Sequence, residues 1–295
     1  MDSTAHDDAK RLGAGVLRVV GTPIGNLSDM SSRAVESLAT CNLILCEDTR
    51  VTKRLCAHFG IATPLLRCDE NTILKRIELV CERLRAQETL CLVSDAGMPC
   101  ISDPGQRLVD AVLDEGLSVE VIPGPSAVSC ALAASGLSSE HFFFEGFLPR
   151  KKGQLEARLS LLATIPATLI IYESPHRLIS TLEQIDKHMS QRRCAVGREL
   201  TKLHEELARG SAADLVEHFS AREGVKGECV IVVEAPSEDE LSQLTSPRST
   251  EGSLDEAISA GIAEGRTKSA LAKELSKRFG LSRDEVYRRA IELSS

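Results

Sequence analysis

The sequence predicts an α/β protein of two domains followed by a small helical appendage. Apolar runs rich in β-branched residues alternate with helix-like segments along the first half of the 295 residues, which is the pattern of parallel βαβ units. Three loops of that half, TPIGN, SDAGMP and PGPSA, each follow a predicted strand. A Ser/Thr/Glu-rich stretch at 237–253 is predicted as a linker between the α/β part and a basic helical tail.

The first domain is predicted over 16–125. Because ligands of open parallel sheets bind at the carboxyl ends of the strands, the three loops predict where a site lies. The predicted strands are LRVV, NLILCED, TLCLV and LSVEVI, and apolar residues at helical spacing predict helices over 31–39, 52–59, 73–85 and 106–115.

The second domain is predicted over 126–236, and we expect it to be smaller and to contain a mixed sheet. It begins with the helix-compatible segment 126–134. The strand-like segments HFFFEGFLP, ATLIIYESP, RCAVGREL and KGECVIVVEAP are interleaved with helical windows at 154–163 and 212–219.

The two ends of the chain differ in character. The tail, 254–295, contains the amphipathic segment TKSALAKELSKRFG closed by Gly280, and Ser282 with Glu285 forms a capping-box pattern for a last helix. This helix, turn and helix resemble a helix–turn–helix, or equally a packing element. At the other end 1–15 is acidic and has no apolar core, so we predict a disordered lead-in rather than a signal or transit peptide.

Composition disfavours several classes of protein. No stretch approaches the roughly 20 apolar residues of a membrane span, so no membrane association is expected. None of the ten cysteines lies in a C-x-x-C pair, which predicts buried thiols in a reducing cytoplasm and no metal site. A net charge of −8 argues against a chain coated for nucleic acid, but 266–289 holds eight Lys or Arg against three acids.

The loop TPIGN does not match a nucleotide phosphate site. Around Gly21 and Gly25 both the G-x-G-x-x-G fingerprint and the Lys-Ser/Thr pair of a P-loop are missing, and Pro23 has no N–H to donate. The loop therefore predicts close approach of a ligand other than a pyrophosphate.

Three further segments place reactive side chains at strand ends. SDAGMPCISDPG holds acids that could accept hydrogen bonds from a ribose or an amino group, or form only a turn. EDTR offers two acids and an arginine as base and clamp, or simply acids at a helix N-terminus. YESPHR combines a phenol, a carboxylate, an imidazole and a guanidinium, although a lone histidine is more often structural.

These segments together resemble a known family. TPIGNLSD, EDTR, SDAGMPCISDPG, PGPSA, FFFEGFLPRKKG, YESPHR, RELTKLHEE and KGECVIVVEAP occur in this order over about 16–236. They are similar to the ribosomal RNA branch of the tetrapyrrole-methylase superfamily of S-adenosylmethionine-dependent methyltransferases. The resemblance implies a two-domain tetrapyrrole-methylase-like (class III methyltransferase) fold, with the cofactor in the cleft between the domains, and a cytoplasmic homodimer. It also implies 2′-O-methylation of cytidine 1402 in the 16S rRNA of the small ribosomal subunit.

The resemblance further implies roles for single residues. The base is expected first at Asp48, with Glu47 as the alternate and Arg50 as a phosphate or ribose clamp. The residues expected to line the cofactor cleft are Pro23, Asp95, Ala96, Gly97, Met98, Ser126, Ala127 and Tyr172. The residues expected to contact RNA are Lys151, Lys152, Glu173, His176, Arg177, Lys202, Arg288 and Arg289.

The chain departs from the family pattern in two places, and two other functions compete. Met98 stands where the family usually has Thr, and the segment RCDEN at 67–71 replaces a His-rich stretch. The basic tail disfavours a methylase of corrinoid precursors, and the full set of cleft motifs disfavours a non-enzymatic RNA-binding assembly factor. With 3% aromatic residues and no Trp, phosphate contact and shape rather than base stacking are expected to dominate RNA binding.

Overall fold

A computed structural model describes residues 15–245, 250–279 and 281–294 of the chain. All but the last residue of the predicted lead-in 1–15, and Gly280, which was predicted to close a tail helix, lie outside the described residues. The described residues form two compact units, which divide between Pro236 and Ser237.

The first sheet of the larger unit is entirely parallel, with strand order β3-β2-β4-β1-β5. Its strands are β1 (Val16–Val20), β2 (Leu43–Cys46), β3 (Leu65–Arg67), β4 (Thr89–Val93) and β5 (Ser118–Ile122). Between them run the helices α1 (Ser32–Thr40), α2 (Thr49–His58), α3 (Ile73–Arg85) and α4 (Gln106–Asp114).

Both faces of this sheet are covered, because βαβ connections place helices on each side. Leu17 of β1 packs with the core that includes Leu84 of α3, and Val20 packs with the core that includes Leu38 of α1. Helix α2 begins three residues earlier than predicted, because the Asp48 side chain caps it by accepting from the Arg50 backbone N–H at 2.8 Å.

The second sheet is mixed, as predicted, with strand order β6-β7-β10-β8-β9. Among its described pairs β6 runs parallel to β7, and β10–β7, β10–β8 and β8–β9 are antiparallel. Its strands are β6 (Phe142–Phe147), β7 (Thr168–Glu173), β8 (Arg193–Arg198), β9 (Glu206–Ser211) and β10 (Cys229–Val233). Its helices are α5 (Ala127–Ser135), α6 (Lys152–Leu162), α7 (Leu178–Met189) and α8 (Ala212–Ser220).

The smaller unit is helical. Ile258, Leu271 and Val286 come from three of its helices and are fully buried in one core. Ser282 caps the last helix by accepting from the Glu285 N–H at 3.2 Å. Two of the helices begin inside 237–253, the segment predicted as a linker. The helices are α9 (Glu238–Thr245), α10 (Thr250–Ala263), α11 (Lys268–Phe279) and α12 (Arg283–Glu292).

The cysteines and the helices can be compared with what the composition predicts, which is buried thiols and no membrane span. All ten cysteines are free thiols, and eight of them are buried. Over the described part of the chain, the helices include none that is long and apolar enough to cross a membrane.

Candidate active site

A cavity of about 390 Å³ opens where the carboxyl ends of strands from both sheets of the larger unit meet. The loop after β4 supplies one wall, and the end of β7 supplies another. The lining residues are Ile24, Asp95, Ala96, Gly97, Met98, Ile101, Ser102, Asp103, Ser126, Ala127, Phe147, Tyr172, Glu173, Ser174, Pro175, Leu200, Glu228, Cys229 and Val230.

Glycines let the loops at the floor of the cavity approach each other closely. A Cβ on Gly21 would lie 2.6 Å from the backbone N of Gly124 and 2.7 Å from the Met98 Sδ. The backbone N–H of Thr22 donates to the Gly97 carbonyl at 2.9 Å, and the Gly97 N–H donates back at 3.1 Å. The loops TPIGN, SDAGMP and PGPSA are therefore one packed unit, as their position at strand ends predicts.

Of the eight residues predicted for the cofactor cleft, seven line the cavity: Asp95, Ala96, Gly97, Met98, Ser126, Ala127 and Tyr172. The eighth, Pro23, is buried between Thr22 and the lining residue Ile24 and does not itself line the cavity. Burial and the nearby Asp103 charge raise the pKa of the Tyr172 phenol to about 12, so it stays protonated at neutral pH.

The two acids of EDTR have different environments. Arg50 donates to both carboxylate oxygens of Asp48, with contacts of 2.6 Å from Nη2 and 3.0 Å from Nε, and this holds the pKa of Asp48 well below its usual range. Glu47 is half-buried, and burial together with the Asp95 and Asp103 charges raises its pKa. Neither acid lines the cavity, but the Asp48 N–H donates to the Asp95 carboxylate at 3.1 Å.

Asp103 is the titratable group of the lining that stands out chemically. It belongs to the quoted segment SDAGMPCISDPG but is not among the residues predicted for the site. Burial, with a further contribution from the Asp95 charge, raises its pKa to about 6. Burial also raises the pKa of Asp95, and the nearby charge of Asp48 raises it further.

In YESPHR the acid and the arginine are engaged within the protein. Both Glu173 carboxylate oxygens are used, because the Ser174 N–H donates to Oε1 at 2.8 Å and the Thr181 hydroxyl donates to Oε2 at 2.7 Å. Arg177 donates to the Leu148 carbonyl at 3.3 Å and so ties this loop to the end of β6. His176 is exposed.

The lysines and arginines predicted for RNA contact fall into two groups. Lys151, Lys152 and Arg288 are exposed to solvent. Lys202 instead bonds to Glu199 at 2.8 Å and Glu228 at 2.9 Å. Arg289 bridges helices α10 and α12 through a bidentate pair with Asp255, at 2.6 and 2.8 Å.

Comparison with known proteins places the chain in a family. A family model described as Tetrapyrrole (Corrin/Porphyrin) Methylases matches residues 16–216, which is more than half of the chain. The chain belongs to the tetrapyrrole methylase family. The predicted fold class is therefore confirmed, and within the described residues no group of three or more potential metal ligands occurs.

Relatives within the tetrapyrrole methylase family carry the name Ribosomal RNA small subunit methyltransferase I. The Synechocystis sp. protein is 40% identical over 283 residues, covering 95% of this chain and 99% of that protein. The Mesorhizobium japonicum protein is 40% identical over 94% of this chain and 92% of its own length. The Thermotoga maritima protein is 42% identical over 219 residues, covering 74% of this chain and 98% of that protein.

Solved structures of tetrapyrrole-methylase shape share the fold at low sequence identity. A diphthine synthase has a TM-score of 0.58 at 13% identity, covering 78% of this chain and 93% of that one. The cobalt precorrin-4 methyltransferase CbiF has a TM-score of 0.57 at 16% identity, covering 75% and 95%. At these identities the likeness concerns the fold alone.

Sequence patterns alone miss several lining residues of this tetrapyrrole methylase. Beside Asp103 these are mainly apolar groups, which at sequence level look like ordinary strand or loop positions. Phe147 ends strand β6, so the carboxyl-end rule that located the three loops could also have located it. The others are Ile24, Ile101, Ser102, Ser174, Pro175, Leu200, Glu228, Cys229 and Val230.

Proposed function

We propose that the protein transfers a methyl group from S-adenosylmethionine to the ribose 2′-oxygen of cytidine 1402 in the 16S rRNA of the small ribosomal subunit. The observation that carries this proposal is the similarity of nearly the whole chain to proteins named Ribosomal RNA small subunit methyltransferase I, at 40% identity over 95% of the chain in one case. The site described above supports it, because its chemistry fits both the donor and a reaction at a hydroxyl.

The cavity fits a nucleoside cofactor without phosphates. Its volume of about 390 Å³ lies within the range of about 300–1,000 Å³ that is common for small-molecule sites. Ile24, Met98 and Ala127 offer apolar surface, and the carboxylates of Asp95 and Asp103 suit a ligand with positive groups. When bound, the cofactor would supply an electrophilic methyl group on a sulfonium.

The chain's own residues would orient the hydroxyl and accept its proton. A positioned base typically contributes about 10²–10⁴-fold, and its best pKa lies close to the working pH. Asp48 was predicted as the base, but its ion pair with Arg50 makes it a weak one. We propose instead that Asp103 accepts the proton, since it lines the cavity with a pKa of about 6, and that Glu47 is the alternate.

Two surfaces support binding to an RNA backbone. Lys151 and Lys152 are exposed after β6, close in sequence to the lining residue Phe147, and we propose that they contact phosphates. Arg288 offers a further exposed cation in the helical unit. The Thermotoga maritima relative spans only 74% of this chain while aligning over 98% of its own length. We therefore propose that part of this chain adds RNA affinity rather than chemistry, and that the helical unit is that part.

The test is methyl transfer to small subunits from cells that lack this activity. Labelled S-adenosylmethionine is incubated with the purified protein and either intact subunits or free 16S rRNA, and nuclease digestion with mass spectrometry locates the product. We expect 2′-O-methylcytidine at position 1402, with the Asp103→Asn variant slowed by at least about 10²-fold. Measurable cofactor binding without transfer to either RNA would refute the RNA substrate. Sedimentation of the same preparation tests the homodimer that the family resemblance implies.

A further inference from the structure

A single-residue bulge turns the end of strand β6 toward the cavity. Phe143 pairs with Leu169 and Phe144 pairs with Ile170, but the register then shifts, so that Gly146 pairs with Ile171 and Phe147 with Tyr172. Glu145 is the extra residue. In a regular strand Phe147 would share the face of Phe143, because side chains alternate with a period of two. The bulge moves it to the opposite face, beside Tyr172.

The bulge depends on a glycine. Gly146 has φ of +73°, a conformation that favours glycine, and a Cβ there would lie 3.0 Å from the Ser102 hydroxyl oxygen. The close approach joins β6 to the loop after β4. Phe147 follows Gly146 in the chain and Ile101 precedes Ser102, and both are exposed apolar residues that line the cavity.

Phe147 remains 59% exposed although it lines a cavity. Its ring meets the Tyr172 ring edge to face, with centroids 5.6 Å apart. A large apolar side chain that lines a cavity and stays exposed offers contact surface to a ligand. The exposed cations Lys151 and Lys152 follow four and five residues later, so aromatic surface and positive charge adjoin in the chain. Aromatic rings beside cations are the usual means of holding an unstacked base of RNA.

We propose that Phe147 stacks on the base of the target cytidine, held in place by the bulge at Glu145 and Gly146. This inference rests on the proposed function, because it takes RNA as the substrate. The shared chemistry is a planar nucleobase, which the adenine of the cofactor would also offer. We assign the ring to the RNA base, because it is 59% exposed, whereas Met98 and Ala127 are partly buried and supply apolar lining that can hold an adenosyl group.

The absence of tryptophan from the chain gives a direct assay. In the Phe147→Trp variant the new indole is the sole tryptophan, and stacking on a base quenches its fluorescence. The matched control is Phe142→Trp, because Phe142 begins the same strand and is 52% exposed but does not line the cavity. Each variant is titrated with S-adenosylhomocysteine alone and then with unmethylated small subunits, so light absorbed by RNA affects both variants equally.

We expect quenching of Phe147→Trp by subunits, little change with S-adenosylhomocysteine, and no specific quenching of the control. Quenching by S-adenosylhomocysteine alone would overturn the assignment to the RNA base, and no specific quenching by either would overturn stacking altogether. In either case transfer by the unaltered protein still tests the proposed function separately.

Kinetics provide a second readout. Phe147→Ala should raise the KM for subunits about 5- to 150-fold, the range that one stacked base contributes. Phe147→Tyr should restore it, and S-adenosylmethionine affinity should stay unchanged in both variants. A KM that Phe147→Ala leaves unaltered would contradict the inference, as would an equal effect of Phe142→Ala.

Discussion

Replacing Asp103 by asparagine should stabilise the protein while slowing its reaction. Burial raises the pKa of this carboxyl from the ordinary value of 3.8 to about 6, so the folded state holds its proton more tightly than the unfolded chain does. The folded protein then loses stability as pH rises from about 4 through 6, because the unfolded chain ionises first. Asparagine removes the ionisation and with it this loss.

The pKa rise sets the size of the effect. It corresponds to at most about 3 kcal/mol above pH 6, and solvent screening of a half-buried carboxyl reduces the expected gain to about 1–2 kcal/mol. Since ionisation of the unfolded chain is already well advanced at pH 5, about half of the full difference should develop between pH 5 and pH 7.5.

The assay is urea unfolding of both proteins at pH 5 and pH 7.5. Asp110→Asn, on the exposed side of α4, is the control for removing one charge. In the unaltered protein kcat/KM should also increase as the pH rises through about 6. The residual activity of Asp103→Asn should not show this increase. A stability difference that is the same at both pH values would refute the reasoning, as would a gain equal to that of the control.

Four other variants test separate parts of the structure. The double change Lys151→Glu and Lys152→Glu should weaken binding to small subunits and make it less sensitive to salt. The slope of log affinity against log salt should become shallower by about 1 for each phosphate that is no longer neutralised. Arg288→Met should likewise weaken binding, whereas Arg289→Met should mainly lower the thermal midpoint of unfolding by breaking the pair with Asp255. Gly21→Ala should destabilise the protein by about 1–3 kcal/mol and weaken S-adenosylhomocysteine binding in calorimetry, because its Cβ meets backbone at 2.6 Å.

Each of these variants has a contrasting control. Gly153→Ala introduces a Cβ that meets nothing within 4 Å, so it should not reduce stability or cofactor affinity. The two neighbouring arginines are controls for each other. If Arg289→Met weakened RNA binding as much as Arg288→Met without lowering the thermal midpoint, the assigned difference between them would be wrong. An unchanged salt slope in the lysine double variant would exclude phosphate binding there.

Elements with a strong local pattern are predictable from the sequence, and short or irregular ones are not. Helix α3 has apolar residues at helical spacing over its full length, and the predicted range 73–85 coincides with Ile73–Arg85. Strand β3 has only three residues, too few for any periodicity to show, and it forms because it pairs with β2. Helix α2 begins early because of a side-chain cap that apolar spacing does not reveal.

The location of the site can be predicted from the topology, but the basicity and the ion pairing of its acids cannot. Parallel strands bring their carboxyl ends to one edge, so loops distant in sequence could be grouped before any coordinates were known. The chemistry of each acid depends instead on its neighbours in space. Asp48 has its own motif's arginine as partner and becomes a weak base, whereas Asp103, in an ordinary-looking turn, is half-buried without a cationic partner among the described ion pairs.

The same distinction explains why Phe147 escapes a sequence pattern. Alternation along FFFEGF assigns it to the face of Phe143, and one inserted residue reverses that assignment. The glycine that permits the reversal is visible in the sequence, but a strand glycine indicates only that a bulge or a close approach occurs. Here both occur. The register shifts at Gly146, and the lack of a side chain there allows the Ser102 hydroxyl to lie close to its backbone. One backbone feature therefore joins strand β6 to the loop after β4 and orients the aromatic ring, so changes at Gly146 should affect cavity shape and RNA binding together.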